Sequence, residues 1–331
     1  MNILIIKLGA AGDVLRTTSV LEGLKEKHKP SKIAWLTNPF SSDLLKGNPF
    51  LDSVFMPSDS GTLRNVQWDW IINLDDDEKA CQIASELKPK KITGAWLKEG
   101  KRAYTEDSRQ WFDMGLISRF GKQKADELKK ANKKTHQQIL GEMLKIEMSE
   151  PVLALKKEDI AFADAFAKKN GIKKGDKVIG INTGAGGRWQ DKKLSIDKTA
   201  EVIDRLNEDG KCKLILFGGP EEEERNRKII GRVSSQLIDA GCHNTLMQFA
   251  ALVNLCSVLV TSDSLAMHIG IALKKKVVAF FGPTSSAEIE MYGRGMKIIP
   301  KTGCLCCYKD KCDIPPDYSV DEMAKAARKY L

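Results

Sequence analysis

The chain has 331 residues, 42% hydrophobic and 29% charged, a balance that suits a globular protein of two domains and excludes a disordered or membrane-spanning one. Its formal charge of +9 bears on partners, not on fold, and much of it lies in lysine-dense stretches at 88–91, 122–134, 168–174 and 274–276. Those stretches lack aromatic interleaving, zinc-finger spacing and helix-turn-helix signals, which argues against nucleic acid and leaves a solvated exterior, an anionic membrane surface or a phosphorylated substrate.

Residues 2–7 read as a first strand that runs into a loop nearly bare of side chains, Leu8-Gly9-Ala10-Ala11-Gly12-Asp13. Apolar residues at helical spacing follow from Val14, so Asp13 stands either as a helix N-cap or as a carboxylate presented by the loop. The third glycine of a dinucleotide-binding turn is missing. No apolar run approaches the roughly 20 residues that span a bilayer, and no signal-peptide pattern opens the chain, which predicts a cytoplasmic protein.

Strands are predicted at 33–37, 54–56 and 70–74, with a helix through Leu44 and Leu45. The run Asp75-Asp76-Asp77-Glu78 reads as a helix start, where the dipole favours carboxylates, ahead of a divalent-cation site. Residues 96–120 are irregular and carry Arg102, Tyr104, Arg109, Trp111, Phe112 and Arg119; a helix opens at 135–140. Residues 150–158 form a linker, and a helix at 159–170 stops at Gly171. A second α/β series has strands at 178–182, 214–217, 237–239, 258–260 and 277–281, and Ser319 caps a last amphipathic helix with Asp321 and Glu322 in its first turn. The alternation predicts two parallel sheets wound with helices.

Four loops of the second series fall at predicted strand ends, where such sheets bind ligands. Asn182-Thr183-Gly184-Ala185-Gly186-Gly187 exposes backbone N–H groups ahead of Arg188 and Lys192, an arrangement for a diphosphate without Walker spacing. Gly218-Gly219-Pro220 leads into Glu221, Glu222, Glu223 and Glu224, one of which could accept two ribose hydroxyls; residues 244–248 could border a base. Ser262-Asp263-Ser264-Leu265-Ala266-Met267-His268 sets a carboxylate and hydroxyls at a helix start, as caps or as ligand contacts, and Phe281-Gly282-Pro283-Thr284 completes that turn.

In order, Lys7 with Gly12-Asp13-Val14-Leu15, Gly184-Ala185 with Lys192, Gly218-Gly219-Pro220-Glu221-Glu222, Asp263-Ser264 with His268, and Phe281-Gly282-Pro283-Thr284 resemble the glycosyltransferase family 9 enzymes, which include the lipopolysaccharide heptosyltransferases. The resemblance implies an α/β protein of GT-B fold, with two Rossmann-like doubly wound parallel-sheet domains facing a cleft. Residues 1–155 would bind the acceptor and 156–318 the nucleotide-sugar, and the helix at 319–331 would pack back on the N-terminal domain.

It further implies inverting, metal-independent transfer of a heptose or related sugar from an ADP-linked donor to a lipopolysaccharide-type or other surface glycan. Asp13 matches the general base. Thr183, Gly184, Ala185, Arg188, Lys192, Glu222, Asp263, Ser264 and His268 are expected at the donor. Lys7, Arg64, Arg102, Arg109 and Arg119 are expected to meet an anionic, lipid-linked or polysaccharide acceptor, with the protein peripheral to the inner leaflet of the cytoplasmic membrane. Leu265 stands where many members carry glycine, and Lys193-Leu194-Ser195 replaces a common His/Arg-Trp-Pro, which makes Arg188 a competitor of Lys192. An epimerase-like enzyme of the same fold and a catalytically inactive sugar-nucleotide-binding relative are the alternatives.

Cys81, Cys212, Cys242 and Cys256 read as scattered buried thiols, whereas Cys304, Cys306, Cys307 and Cys312 are clustered. The C-x-x-C element in a reduced compartment suggests a structural zinc ahead of an iron–sulfur site or a disulfide, although adjacent Cys306 and Cys307 rarely share an ion and the second C-x-x-C is missing.

Overall fold

The computed structural model describes residues 1–187 and 189–331. They form two compact units, Met1–Ala154 with Ala287–Glu290, and Leu155–Ser286 with Met291–Leu331.

The first unit holds β1 (Asn2–Ile6), β2 (Lys32–Leu36), β3 (Ser53–Phe55), β4 (Trp70–Asn73), β5 (Lys91–Lys98) and β6 (Lys101–Tyr104), in the order β3-β2-β1-β4-β5-β6. All neighbours are parallel except β5 and β6. Both faces of this sheet are covered, which is why its central strands are continuously apolar and not alternating. Ile3, Ile5, Trp35 and Ile72 pack with Leu140 and Leu144 on one face, while Leu4, Ile6, Leu36 and Ile71 pack with Ala80 and Ala84 on the other.

The stretch expected to be irregular, 96–120, contains the end of β5, the whole of β6 and the helix Arg109–Phe112. The β5–β6 hairpin turns through Glu99 and Gly100, both at positive φ, as a two-residue hairpin loop demands. Exposed Lys101 and Arg102 gave β6 no apolar alternation to reveal it. The lysine-dense stretch at 122–134 mostly forms the helix Gly121–Ala131, and the helix expected through Leu44 and Leu45 ends at Ser42.

The second unit holds β7 (Val178–Asn182), β8 (Lys213–Phe217), β9 (Ile238–Asp239), β10 (Val258–Ser262), β11 (Lys276–Phe280) and β12 (Gly295–Ile298), all parallel, in the order β12-β11-β10-β7-β8-β9. Numbered within its own unit, each sheet reads 3-2-1-4-5-6, the doubly wound order. Its topological switch point lies between the first and fourth strands, β1 and β4 in one unit and β7 and β10 in the other.

The helix Val320–Lys329, expected to pack back on the N-terminal domain, contributes to the core of the second unit. Val320, Met323, Ala324 and Ala327 bury one stripe in the core of the second unit, with Ile203, Val260 and Ile298. Their spacing of three, four and seven residues makes a single apolar face, and the helix Ile196–Leu206 together with β10 and β11 receives it. Among the described residues no helix is long and apolar enough to cross a membrane.

Candidate functional site

At the switch point of the first sheet the chain leaves β1 through Lys7-Leu8-Gly9 and leaves β4 through Leu74-Asp75. Asp75 is 7% exposed, and Lys7 Nζ lies 2.5 Å from its Oδ1 and 3.4 Å from Leu74 O. The N–H groups of Leu8 and Gly9 donate to Asp75 Oδ2, the latter at 3.1 Å. A buried carboxylate is tolerable here because each oxygen has a charged or N–H partner. The helix-start reading of the acidic run therefore belongs to Asp77, whose side chain accepts from Ala80 N–H and caps Glu78–Glu86. Asp75 instead pins the glycine loop.

Past that loop, Ala10 at φ 23° is the N-cap residue of the helix Ala11–Thr17. Asp13 is the third residue of the helix, not its cap, with a side chain 35% exposed and Oδ1 3.0 Å from Arg16 Nη2. Arg16 is half-buried, 4.0 Å from Glu288 and 5.8 Å from the centre of the Trp111 ring. Trp111 in turn meets His136 edge-on at 4.9 Å. A cavity of about 160 Å³ is lined here by Lys7, Asp75, Asp76, Trp111, Lys129 and Glu288, among others.

Of the five residues expected at the acceptor, Lys7 lines this cavity. The four arginines do not, and each is bonded elsewhere: Arg64 to Glu86 at 2.8 Å, Arg102 to Asp76 O at 2.8 Å, Arg109 to Glu106 at 2.6 Å and Arg119 to Asp113 at 3.2 Å.

At the switch point of the second sheet, Asn182 Nδ2 donates to Gly184 O at 2.8 Å and to Thr261 Oγ1 at 3.1 Å, tying the end of β7 to β10. The Thr183 hydroxyl faces inward, 3.0 Å from Phe217 O and 2.6 Å from Asn226 Oδ1. Gly184 and Ala185 are half-buried, and a Cβ on Gly184 would lie 3.0 Å from Glu222 Oε2, so glycine is what lets this loop lie on the carboxylate. Glu222 is 4% exposed and committed to protein partners: Lys193 Nζ at 2.7 Å and the Gly219 N–H at 3.0 Å. Residues 244–248 include Thr245, which caps the helix Leu246–Asn254 in a reciprocal box with Gln248.

Lys192 Nζ donates to both Asp263 O and Asp263 Oδ2 at 2.9 Å, and Thr284 Oγ1 donates to the same Oδ2 at 2.6 Å. Burial pushes the Asp263 carboxyl up, but the Lys192 charge, His268 and the Thr284 hydroxyl outweigh it and hold the group below its ordinary value of 3.8. Ser264 occupies the N-cap position of the helix Leu265–Ala272 without a side-chain cap bond; its Oγ lies 3.1 Å from Thr261 Oγ1. His268 is 7% exposed in the first turns of that helix. Arg188 lies outside the described residues.

Three of the four clustered cysteines come together. Cys304 and Cys307 are joined by a disulfide, Cys312 Sγ is 3.6 Å from Cys307 Sγ, and the three sulfurs lie within 4.8 Å of one another. Cys306, at φ 58°, stands outside this group, which corrects the expected four-sulfur set. Asp75, Arg16, Trp111 and Glu288 were not foreseen at a site. For Asp75 a signal existed: like Asp263, it is the first carboxylate after a buried apolar strand.

Residues 60–316 match the family model described as glycosyltransferase family 9 (heptosyltransferase). The lipooligosaccharide heptosyltransferase 2 of Campylobacter jejuni is 27% identical over 169 residues, 46% of this chain and 52% of that protein. The chain spans about half the length of that relative, and 26% of the lipopolysaccharide heptosyltransferases 2 of Salmonella typhimurium and Escherichia coli.

In fold, the chain is similar to a glycosyl transferase family 9 structure from Veillonella parvula, with a TM-score of 0.81 at 20% identity over 99% of this chain and 96% of that one. It is also similar to the E. coli ADP-heptose lipopolysaccharide heptosyltransferase II, with a TM-score of 0.66 at 18% identity over 91% and 92%. The two mostly parallel sheets with flanking helices are those of the GT-B class.

Proposed function

The chain belongs to glycosyltransferase family 9, and we propose that it transfers a heptose or a related sugar, with inversion, from an ADP-linked donor to a lipopolysaccharide-type or other surface glycan. The observation that carries this is the ionised Asp263 held by Lys192 and Thr284 at the switch point of the second sheet. Fixed in that way, the turn presents the start of the helix Leu265–Ala272 to an anion, and helix N-termini favour phosphate. An ammonium has three N–H donors, so Lys192 keeps one for a donor phosphate after serving Asp263 twice. Backbone N–H groups of the 184–186 loop are further donors for the diphosphate. The ADP assignment is supported by the description of a structural neighbour as an ADP-heptose enzyme.

Inversion takes one displacement at the anomeric carbon: a base removes the acceptor proton as the nucleoside diphosphate departs. Asp13 is assigned that proton. Its carboxylate is partly exposed in the first turn of a helix, and Arg16 orients it at 3.0 Å. Charge developing on the leaving diphosphate is met by Lys192 and the helix start, and the scheme requires no catalytic metal. The cavity beside Lys7, Asp76, Trp111 and Glu288 suits a sugar, with the indole as an apolar face and the charged groups as hydrogen-bond partners for hydroxyls. The basic exterior would hold the protein on the anionic inner leaflet.

The test is a thermal-shift series with ADP-, GDP-, UDP- and TDP-sugars, followed by product analysis with a lipopolysaccharide-core acceptor. A ligand present at 100 times its dissociation constant stabilises by about 2.7 kcal/mol, so the ADP-linked sugar should give the largest shift. A preference for UDP would overturn the heptose assignment. Release of an altered free sugar nucleotide without acceptor would replace transfer by epimerisation, and binding without turnover would mark an inactive relative.

A further inference from the structure

We propose that Lys193 is a specificity-determining residue for the donor: by fixing the Glu222 carboxylate, it sets how strongly the ribose of a nucleoside diphosphate is held. This rests on the donor reading of the second sheet's switch point. Lys193 itself lies in the stretch that departs from the family resemblance.

Three observations carry it. First, Lys192 and Lys193 are neighbours in sequence that reach to opposite flanks of the loop after β7. Lys192 Nζ is 2.9 Å from Asp263 Oδ2, after β10, and Lys193 Nζ is 2.7 Å from Glu222 Oε1, after β8. In the order β10-β7-β8 those strands flank β7, so the two lysines staple its loop to both neighbours. The Lys193 and Glu222 side chains are 15% and 5% exposed, a setting in which salt screens an ion pair little. Lys193 forms the outer half of the pair. Its backbone is held as well, because Arg225 Nη2 donates to Leu194 O and lies 3.4 Å from Thr199 Oγ1.

Second, the loops come to Glu222 as backbone. A Cβ on Gly184 would lie 3.0 Å from Glu222 Oε2, one on Gly219 3.4 Å from the same oxygen, and one on Gly218 2.9 Å from Glu222 Cβ. Three glycines thus let the loops close on the carboxylate. Lys193 is its one ion-pair partner among the described residues.

Third, the pair has the chemistry of a diol site. Glu222 Oε1 takes Lys193 Nζ at 2.7 Å and Oε2 takes the Gly219 N–H at 3.0 Å, so each oxygen can accept once more, while the ammonium keeps two N–H donors. Acceptors and donors side by side complement two adjacent hydroxyls, which both give and take. A carboxylate alone would also repel the diphosphate that carries the ribose, and Lys193 cancels that charge where it arises. A site that hydrogen-bonds a hydroxyl rejects the analogue that lacks it, because its buried polar groups are left unpaired.

The test is calorimetry on the full chain with ADP, 2′-deoxy-ADP and 3′-deoxy-ADP, and with UDP and 2′-deoxy-UDP, alongside thermal unfolding to establish that each variant is folded. The unaltered chain should bind the ribose form about 10-fold or more tighter than its deoxy analogues, the worth of a hydrogen bond to a charged group. Lys193→Met should weaken the ribose form about 10-fold and bring the ratio to within about twofold, and Lys193→Arg should restore most of both. A purely structural role would not move that ratio. Lys193→Met with Glu222→Gln strands no charge, so the double variant keeps the test valid if the single one misfolds, and it too should bind ribose and deoxyribose forms alike. An unchanged ratio in either folded variant, or no discrimination by the unaltered chain, would overturn the role of Lys193. The two readings fail separately. No binding of any nucleoside diphosphate would remove the donor site and this proposal with it, whereas a preference for UDP would change the base assignment and leave the ribose ratio to decide on Lys193.

Discussion

Replacing Lys192 by Met tests whether the Asp263 turn is held by charge. Lys192 Nζ sits 2.9 Å from Asp263 Oδ2, and the two side chains are 11% and 15% exposed. At that distance and an effective dielectric of about 20, the gross attraction is about 6 kcal/mol, much of it offset by the desolvation of both charges. Removing one partner leaves the other charge buried, which costs about 3–5 kcal/mol. At about 2–4 °C per kcal/mol for a unit of this size, the second unit should melt roughly 10 °C lower.

The pH dependence should also change. In the unaltered chain the Asp263 carboxyl is held below its ordinary 3.8, so its contribution is present above that value and is lost as pH falls through the lower folded one. Without Lys192, only His268 and Thr284 oppose burial, so the folded value should rise and the acid-side loss of stability should shrink. The assay is hydrogen exchange of peptides from 258–272, alongside thermal unfolding at several pH values. The double change Lys192→Met with Asp263→Asn should recover most of the loss, since no charge is then stranded. A single variant within about 1 kcal/mol of the unaltered chain, the range of an exposed pair, and with the same pH slope, would refute the reasoning.

Asp13→Asn should cut turnover by about 10²–10⁴-fold, the usual contribution of a general base, with ADP affinity unchanged by calorimetry. Its stability cost should stay within about 1 kcal/mol, because Arg16 keeps Glu288 as a second carboxylate partner. Asp75→Asn replaces an acceptor of two N–H groups and a lysine by an amide that is partly donor, and should cost the first unit about 3 kcal/mol. Exchange in peptides spanning Leu8 and Gly9 should accelerate, while the second unit is unaffected. Met323→Ala, at a fully buried position of the C-terminal helix, should cost the second unit about 2–5 kcal/mol by chemical denaturation.

Strands buried on both faces announce themselves as apolar runs, and so β1, β2, β4, β7, β8, β10 and β11 were legible, whereas β5, with a lysine at each end and Thr93 and Gly94 inside it, was not. The edge strand β6 was not, because its Lys101 and Arg102 carry no hydrophobic alternation, and β12 is short with half-buried residues along most of its length. Asp263, Thr284 and Lys192 were named from the order of turns along the chain, and the structure brings them into contact. The role of Glu222 was less legible. Its counter-charge is Lys193, one of the residues that departs from the resemblance, and a carboxylate's partner 29 positions away leaves no periodic trace. The C-terminal helix shows its apolar stripe plainly, but a stripe does not say which sheet receives it.

The two switch points reveal why a carboxylate recurs after the fourth strand of each sheet. A strand that ends at the crevice leaves the N–H groups of the adjoining loops unpaired, and a buried carboxylate can collect several at once. Asp75 does so directly, taking the Leu8 and Gly9 N–H groups with Lys7 as counter-charge. Asp263 uses side chains instead, and Lys192 and Thr284 bring two other loops to it. The difference has a chemical consequence. Asp75 spends its charge on fixing backbone and leaves Asp13, five residues beyond Leu8, at a defined place in its helix. Asp263 orients an ammonium and a hydroxyl; the ammonium keeps a third N–H for an anion, while the hydroxyl's one proton is already given to Asp263. One carboxylate is thus suited to positioning a base and the other to assembling a phosphate site, although both occupy the same place in the same topology.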